Sequence, residues 1–348
     1  MKHRYKTNYL KYIIVGILFL FTCLMITFYQ FCIPVSTKSD KVVIKIEKGS
    51  IPKQIAKTLK RKKIIRSEFS FILYTKLNKI SNQLRAGYFL LNKNDNLIVI
   101  IEKLINENGV AKLERVTIPE GFSVLQIEQL LKKKQLFKNI NFSNYIHNIA
   151  KDKFMNEFEF LKGVPVKTIE GYLFPDTYFV DPNGKIEDLV RVMLNQFEKV
   201  MLPIYKNSKR YKNSPKTRFS FHQILTMASI IEKEAQIASE REIISAVYYN
   251  RLKRKKRLEA DPTVIYALGK GYKKKVYYKD LKVKSPYNTY RNFGLPPSPI
   301  ASPGLASLKA SLFPAKVNYL FFVANSDGSH FFTKTYKDHL RVQKTKVY

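Results

Sequence analysis

From Tyr12 to Ile33 the chain runs 22 residues without a charge, YIIVGILFLFTCLMITFYQFCI. As a helix this stretch covers about 33 Å, enough for a bilayer core of about 30 Å. Lys2, Arg4, Lys6 and Lys11 precede it, so by the positive-inside rule residues 1–11 form a cytoplasmic tail. A cleaved signal peptide is the rival, but its apolar core spans only about 7–15 residues and ends at small side chains. Here the segment ends in Gln30-Phe31-Cys32-Ile33-Pro34. The pattern predicts a retained single-pass helix over 12–33 in the cytoplasmic (inner) membrane. A linker follows at 34–40, and the rest of the chain lies on the extracytoplasmic, periplasmic side.

Beyond the linker the periodicity alternates between strand and helix. Lys41 to Glu47 alternates as a strand does, Ile51 to Leu59 has helical spacing, and Ser67 caps a helix reaching Leu77. Arg85 to Leu91 reads as a second strand and Asn96 to Ile105 as a helix, which makes a compact α/β module over 41–110. A second region, 111–348, opens with an extended Val116 to Pro119, a turn at Glu120-Gly121, and a helix capped by Ser123. Helices are then expected over Ile186 to Val200, Phe221 to Glu234, Glu240 to Leu252 and Leu305 to Leu312. Pro and Gly concentrate from Ser285 to Pro303, which reads as an ordered loop, and Tyr319 to Ala324 reads as a buried strand. The fold class expected is α+β.

Composition changes this picture in two places. The chain carries 62 Lys+Arg against 27 Asp+Glu, a net of +35, but the basic residues are spread along its whole length. Scattered charge of this kind is usually a solvated surface. Placement outside the cytoplasm also argues against nucleic acid as a partner. Both cysteines, Cys23 and Cys32, lie in the apolar segment, so no disulfide or Cys-based metal site is available beyond it. The five histidines show no HExxH spacing, and no metal or cofactor is expected.

Chemistry is scarce. The chain has no GxSxG elbow, no SxxK joined by a KTG as a penicillin-binding set requires, and no Gly-rich phosphate loop. What remains is Ala228-Ser-Ile-Ile-Glu232-Lys-Glu234-Ala235, two carboxylates on an otherwise apolar helix. Ile224, Met227, Ala228, Ile231, Ala235 and Ala238 mark one face, with Glu232 and Glu234 on opposite flanks, about 200° apart. Two carboxylates so placed do not form the acid pair of an ordinary glycosidase. One of them beside apolar side chains could serve as a general acid, or both could be surface residues paired with lysines. Periodicity does not choose. Two polar, aromatic sets, Tyr172, Asp176, Thr177, Tyr178 and Tyr287, Asn288, Thr289, Tyr290, fit either a sugar site or a capped loop with packed tyrosines.

At these residues the sequence resembles the YceG-like (MltG) family of endolytic murein transglycosylases. The resemblance is carried by Glu170-Gly-Tyr-Leu-Phe-Pro-Asp-Thr-Tyr178, Ala228 to Glu234, Tyr249-Asn-Arg-Leu252, Asp261-Pro-Thr-Val264, Ser285-Pro-Tyr-Asn-Thr-Tyr290 and Gly294-Leu-Pro-Pro297. It implies an anchor, a LysM-like module at 41–110 and a catalytic domain at 111–348. It implies that Glu232, first of the pair, is the catalytic acid, cleaving between N-acetylmuramic acid and N-acetylglucosamine to leave a 1,6-anhydro end. Substrate contacts then fall to Asp176, Tyr172, Tyr287, Asn288 and Thr289. The partners implied are peptidoglycan glycan strands and penicillin-binding synthases, with termination of nascent strands as the role. Glu259, Ser298, Ser302 and Asp338 depart from the family's usual residues. A non-catalytic, membrane-anchored peptidoglycan-binding scaffold is the alternative.

Overall fold

A computed structural model describes residues 15–20, 22, 25–26, 28–37, 39–106, 113–208, 219–269 and 276–345. The expected cytoplasmic tail and part of the expected anchor (12–14, 21, 23, 24 and 27) lie outside the described residues. Within the anchor, residues 15–20, 22, 25–26 and 28–32 are helical, and Val15, Phe19, Leu20 and Ile26 are exposed. Among the described residues no helix is long and apolar enough to cross a membrane.

The chain divides into two compact units, Met1–Glu114 and Arg115–Tyr348. In the first, β1 (Lys41–Ile46) pairs antiparallel with β2 (Gly87–Asn92), from Lys41 opposite Asn92 to Ile46 opposite Gly87. Two helices connect them, α1 (Pro52–Arg61) and α2 (Glu68–Leu77), and α3 (Leu97–Ile105) follows. The alternation predicts which side chains turn inward: Ile44 and Ile46 of β1 meet Phe89 and Leu91 of β2, over Ile55, Leu59, Phe71 and Ile101 of the helices. Ser67 accepts the Ser70 amide at 3.1 Å and Asn96 the Val99 amide at 2.9 Å, so both helix starts are capped by the residues that the sequence offers.

The second unit is mixed α+β and mostly helical. β3 (Glu114–Thr117) pairs with β4 (Thr177–Val180), and between them lie α4 (Val124–Lys133), α5 (Phe142–Asn148) and α6 (Ala150–Phe154). Then come α7 (Ile186–Asn207), α8 (Phe221–Glu234), α9 (Arg241–Lys253), α10 (Asp261–Ala267) and α11 (Leu305–Leu312). The antiparallel pair β5 (Phe321–Ala324) and β6 (His330–Thr333) and the helix α12 (Tyr336–Thr345) close the chain. β5 is shorter than the strand expected from Tyr319 and is only half-buried, with Ala324 exposed.

The organising element is α8. Ser220 and Gln223 form a reciprocal capping box at its start, and every residue from Ile224 to Ile231 is buried, as is His222. The single apolar face expected from periodicity is therefore an understatement, because this helix is enclosed on all sides. It also ends at Glu234, where Ala235 turns extended, so Ala235 and Ala238 lie beyond it. A buried helix whose last turn carries two carboxylates must place each against a specific partner.

Candidate active site

Glu232 and Glu234 leave the last turn of α8 in different directions. Glu234 accepts the Tyr248 hydroxyl at 2.7 Å, and desolvation, with Asp261 nearby, pushes its carboxyl up to about 7. Glu232 points to the start of α11: its Oε2 accepts Gly304 N–H at 3.1 Å and Ser307 Oγ–H at 2.7 Å. Arg241 of α9 stands 3.9 Å from the other oxygen and also donates to Ser307 Oγ at 3.2 Å. The Glu232 side chain is 8% exposed. A nearly buried carboxyl that faces a helix N-terminus, a hydroxyl and a guanidinium is held in one orientation, as a group that must hand a proton to a fixed atom requires.

A second carboxyl joins Glu232. Glu120, in the turn after β3, lies against Gly304, and a Cβ built on that glycine would come within 2.0 Å of its carboxyl carbon. Desolvation first, and the charge of Glu232 second, push the Glu120 carboxyl up, while Arg241 and the Leu305 N–H oppose them. Lys233 closes the same corner, its ammonium donating to the Gly121 carbonyl at 3.1 Å. Sequence reading saw Glu120 only as part of a turn. The signal available was an acidic residue ahead of Gly121, whose φ of +76° favours glycine and whose amide meets Ser302 O at 2.8 Å.

The loop that brings Gly304 to Glu232 is pinned at each step. His222 Nε2 donates to Pro297 O at 2.8 Å, Ile300 N–H to Ser229 Oγ at 3.0 Å, and Ser302 N–H to Phe122 O at 2.8 Å. Gly171 (φ +84°) lets Pro299 cross directly above, since a Cβ there would sit 2.4 Å from Pro299 Cβ. Next to it Glu170 is buried, accepting Val124 N–H at 3.0 Å and the Tyr266 hydroxyl at 3.1 Å, and burial pushes it up to about 8. The Glu170 to Tyr178 run is thus a clamp on the loop.

The expected substrate contacts fare unevenly. Tyr172 is 1% exposed, stacked on Phe160 at 6.0 Å, and donates to His222 Nδ1 at 3.0 Å. Asn288 is 0% exposed and donates to Leu281 O and Val283 O while accepting Tyr290 N–H. Thr289 is 1% exposed and accepts Ala260 N–H at 3.0 Å. These three spend their polar atoms on partners inside the protein. Tyr287 is half-buried, its hydroxyl 2.6 Å from Ser298 and its ring 4.8 Å from that of Tyr266. Asp176 is exposed, accepting Gln196 Nε2 at 3.0 Å, and its carbonyl takes the Ile118 N–H on the strand leading to Glu120. Among the described residues no cluster of His, Cys, Asp and Glu could hold a metal ion.

A family model described as "YceG-like family" matches residues 44–345. The chain belongs to the YceG-like family. A Bacillus subtilis (strain 168) protein named endolytic murein transglycosylase is 39% identical over 325 residues, which cover 90% of this YceG-like chain and 87% of the relative. A protein of the same name from Streptococcus pneumoniae serotype 2 is 30% identical over 332 residues, covering 89% of this chain and 59% of the relative. The crystal structure of a YceG-like protein from Listeria monocytogenes matches 88% of this chain and all of that one, with 34% identity and a TM-score of 0.56. In this YceG-like chain the Glu232 corner, the pinned loop and the Glu170 clamp all fall inside the matched residues.

Proposed function

We propose that this chain is an endolytic peptidoglycan lytic transglycosylase with Glu232 as its acid and base. The observation that carries the proposal is the placing of one nearly buried carboxyl at the end of α8 against Gly304 and Ser307, in a chain of this family. Protonated Glu232 gives its proton to the glycosidic oxygen, and the bond from the muramyl C1 to that oxygen breaks with its electron pair on the oxygen. The carboxylate then takes the proton of the muramyl 6-hydroxyl while O6 bonds to C1. Water is not consumed, and a 1,6-anhydro end results. The rigid corner supplies orientation, and one carboxyl serves both half-reactions because the same atom that gave the proton recovers one.

We further infer that the apolar segment 12–33 anchors the chain in the cytoplasmic membrane, with residues 34–348 outside. Residues 41–110 are read as a LysM-like module that holds glycan, and the enzyme as acting beside the synthases that make its substrate. Tyr287 and Asp176 remain our candidates for substrate contact, being partly open.

Digestion of purified peptidoglycan by the full chain, beside Glu232→Gln, tests this. Anhydro-muramyl ends from the parent and none from the folded variant are expected, and mass spectrometry reads both. Reducing ends in their place would mean hydrolysis and a different mechanism. Equal yields from the two proteins would remove Glu232 from its role.

A further inference from the structure

Glu232 must begin the reaction above as a proton donor, yet its neighbours are donors and positive charges. Ser307 and Gly304 both donate to Oε2, Arg241 faces Oε1, and Lys233 reaches across to Gly121 beside them. Gly304 is also the N-cap of α11, so the positive end of that helix is directed at the carboxyl.

Glu120 stands against this set. Its carboxyl accepts the Leu305 N–H and fills the space where a side chain at position 304 would be. Gly304 has φ −79°, which any residue adopts, so the backbone does not demand glycine there. The room that Glu120 occupies does. Gly304 is therefore flanked by two carboxyls, one on its N–H and one over its Cα, with Arg241 acting on both.

We propose that Glu120 is a positioning residue for the proton: with Glu232 it forms a carboxyl pair that retains one proton, so that Glu232 is loaded as the acid. This rests on the reading of Glu232 as the acid. Two carboxyls set against the same glycine do not readily both ionise. When Glu232 gives the proton to the glycosidic oxygen, the pair becomes doubly negative as positive charge develops on the sugar. The proton taken from the muramyl 6-hydroxyl restores the singly protonated pair, so protons balance over the cycle.

The test is the pH profile of kcat/KM for anhydro-end formation from about pH 5 to 9, with the full chain in detergent. Wild type, Glu120→Gln, Glu120→Asp and Glu232→Gln are compared. Glu120→Gln keeps the shape and removes the charge. Its alkaline limb is expected to move down by about one pH unit, read as roughly tenfold lower activity on that side, with the acid side near wild type. Glu120→Asp should keep the limb near its original place. A Glu120→Gln profile that superimposes on wild type, or one lowered uniformly without movement of the limb, overturns the proposal. If Glu232→Gln stays active, the underlying reading has failed; if it is dead while the Glu120→Gln limb is unmoved, only the proton pair has failed.

Discussion

Glu170 shows how much a single buried carboxyl contributes and at what pH. Burial pushes it up to about 8 from an ordinary 4.5, so the fold favours its protonated form. Stability from that preference is complete below about 4.5 and is lost as pH rises through about 8. Glu170→Gln stays neutral, its amide oxygen able to accept Val124 N–H and its amide nitrogen to donate to the Tyr266 hydroxyl, so it escapes the loss. Its melting temperature relative to wild type should climb steadily between pH 5 and 8, and a difference flat with pH would mean Glu170 is not held protonated. At this scale the sequence was partly legible. The 100° step per residue told that Glu232 and Glu234 diverge, and they do meet different partners. Glu120 was not legible, because a carboxyl in a turn acquires meaning only when a distant glycine leaves room for it. The inward hydrogen bonds of Tyr172, Asn288 and Thr289 were not legible for a related reason: residue type does not reveal where a polar atom finds its partner.

Helices were legible where local signals and packing agree. α8 and α11 begin and end where periodicity places them, and Ser67, Ser123 and Asn96 cap the helices that they precede. α7 outran its expected end at Val200 and continues through Pro203 to Asn207. A proline ordinarily stops a helix, but Met201 and Leu202 stay buried just before it, and that packing carries the chain on. The loop from Pro296 to Gly304 was recognisable as a loop, while its pinning by His222, Ser229 and Phe122 was not, since those contacts join distant parts of the sequence. Gly171 tests how far that pinning governs activity. Gly171→Ala meets both a left-handed backbone and Pro299 Cβ at 2.4 Å, so a cost of about 1–3 kcal/mol is expected from backbone strain alone. Pushing Pro299 aside should also draw Gly304 from Glu232, so activity falls along with the melting temperature. Gly49→Ala is the control: φ is +83° there, but nothing lies within 4 Å of the added Cβ. It should lose stability only. Equal activity in the two variants would separate the clamp from the chemistry.

On the scale of the whole molecule, the two units each have a core of their own, and every residue of the Glu232 corner lies in the second. The corner is assembled from the turn at Glu120, the end of α8, the start of α9 and the start of α11, so its geometry depends on the packing of that unit alone. On the proposed reading of residues 41–110 as a glycan-holding module, they serve the encounter with a long polymer and leave bond breaking to the second unit. Tethering a second binding module to a catalytic one raises the effective concentration of substrate, an effect that saturates once substrate is abundant. Removing residues 41–110 from the otherwise full chain should therefore raise KM for long glycan strands while leaving kcat within about threefold. Strands too short to be held at two places at once should show little change in either constant. Steady-state kinetics on strands sorted by length gives the answer. A collapse of kcat in a deletion variant whose second unit still melts cooperatively would mean that the first unit takes part in the chemistry. A KM that stays put for long strands would deny it a share in holding glycan.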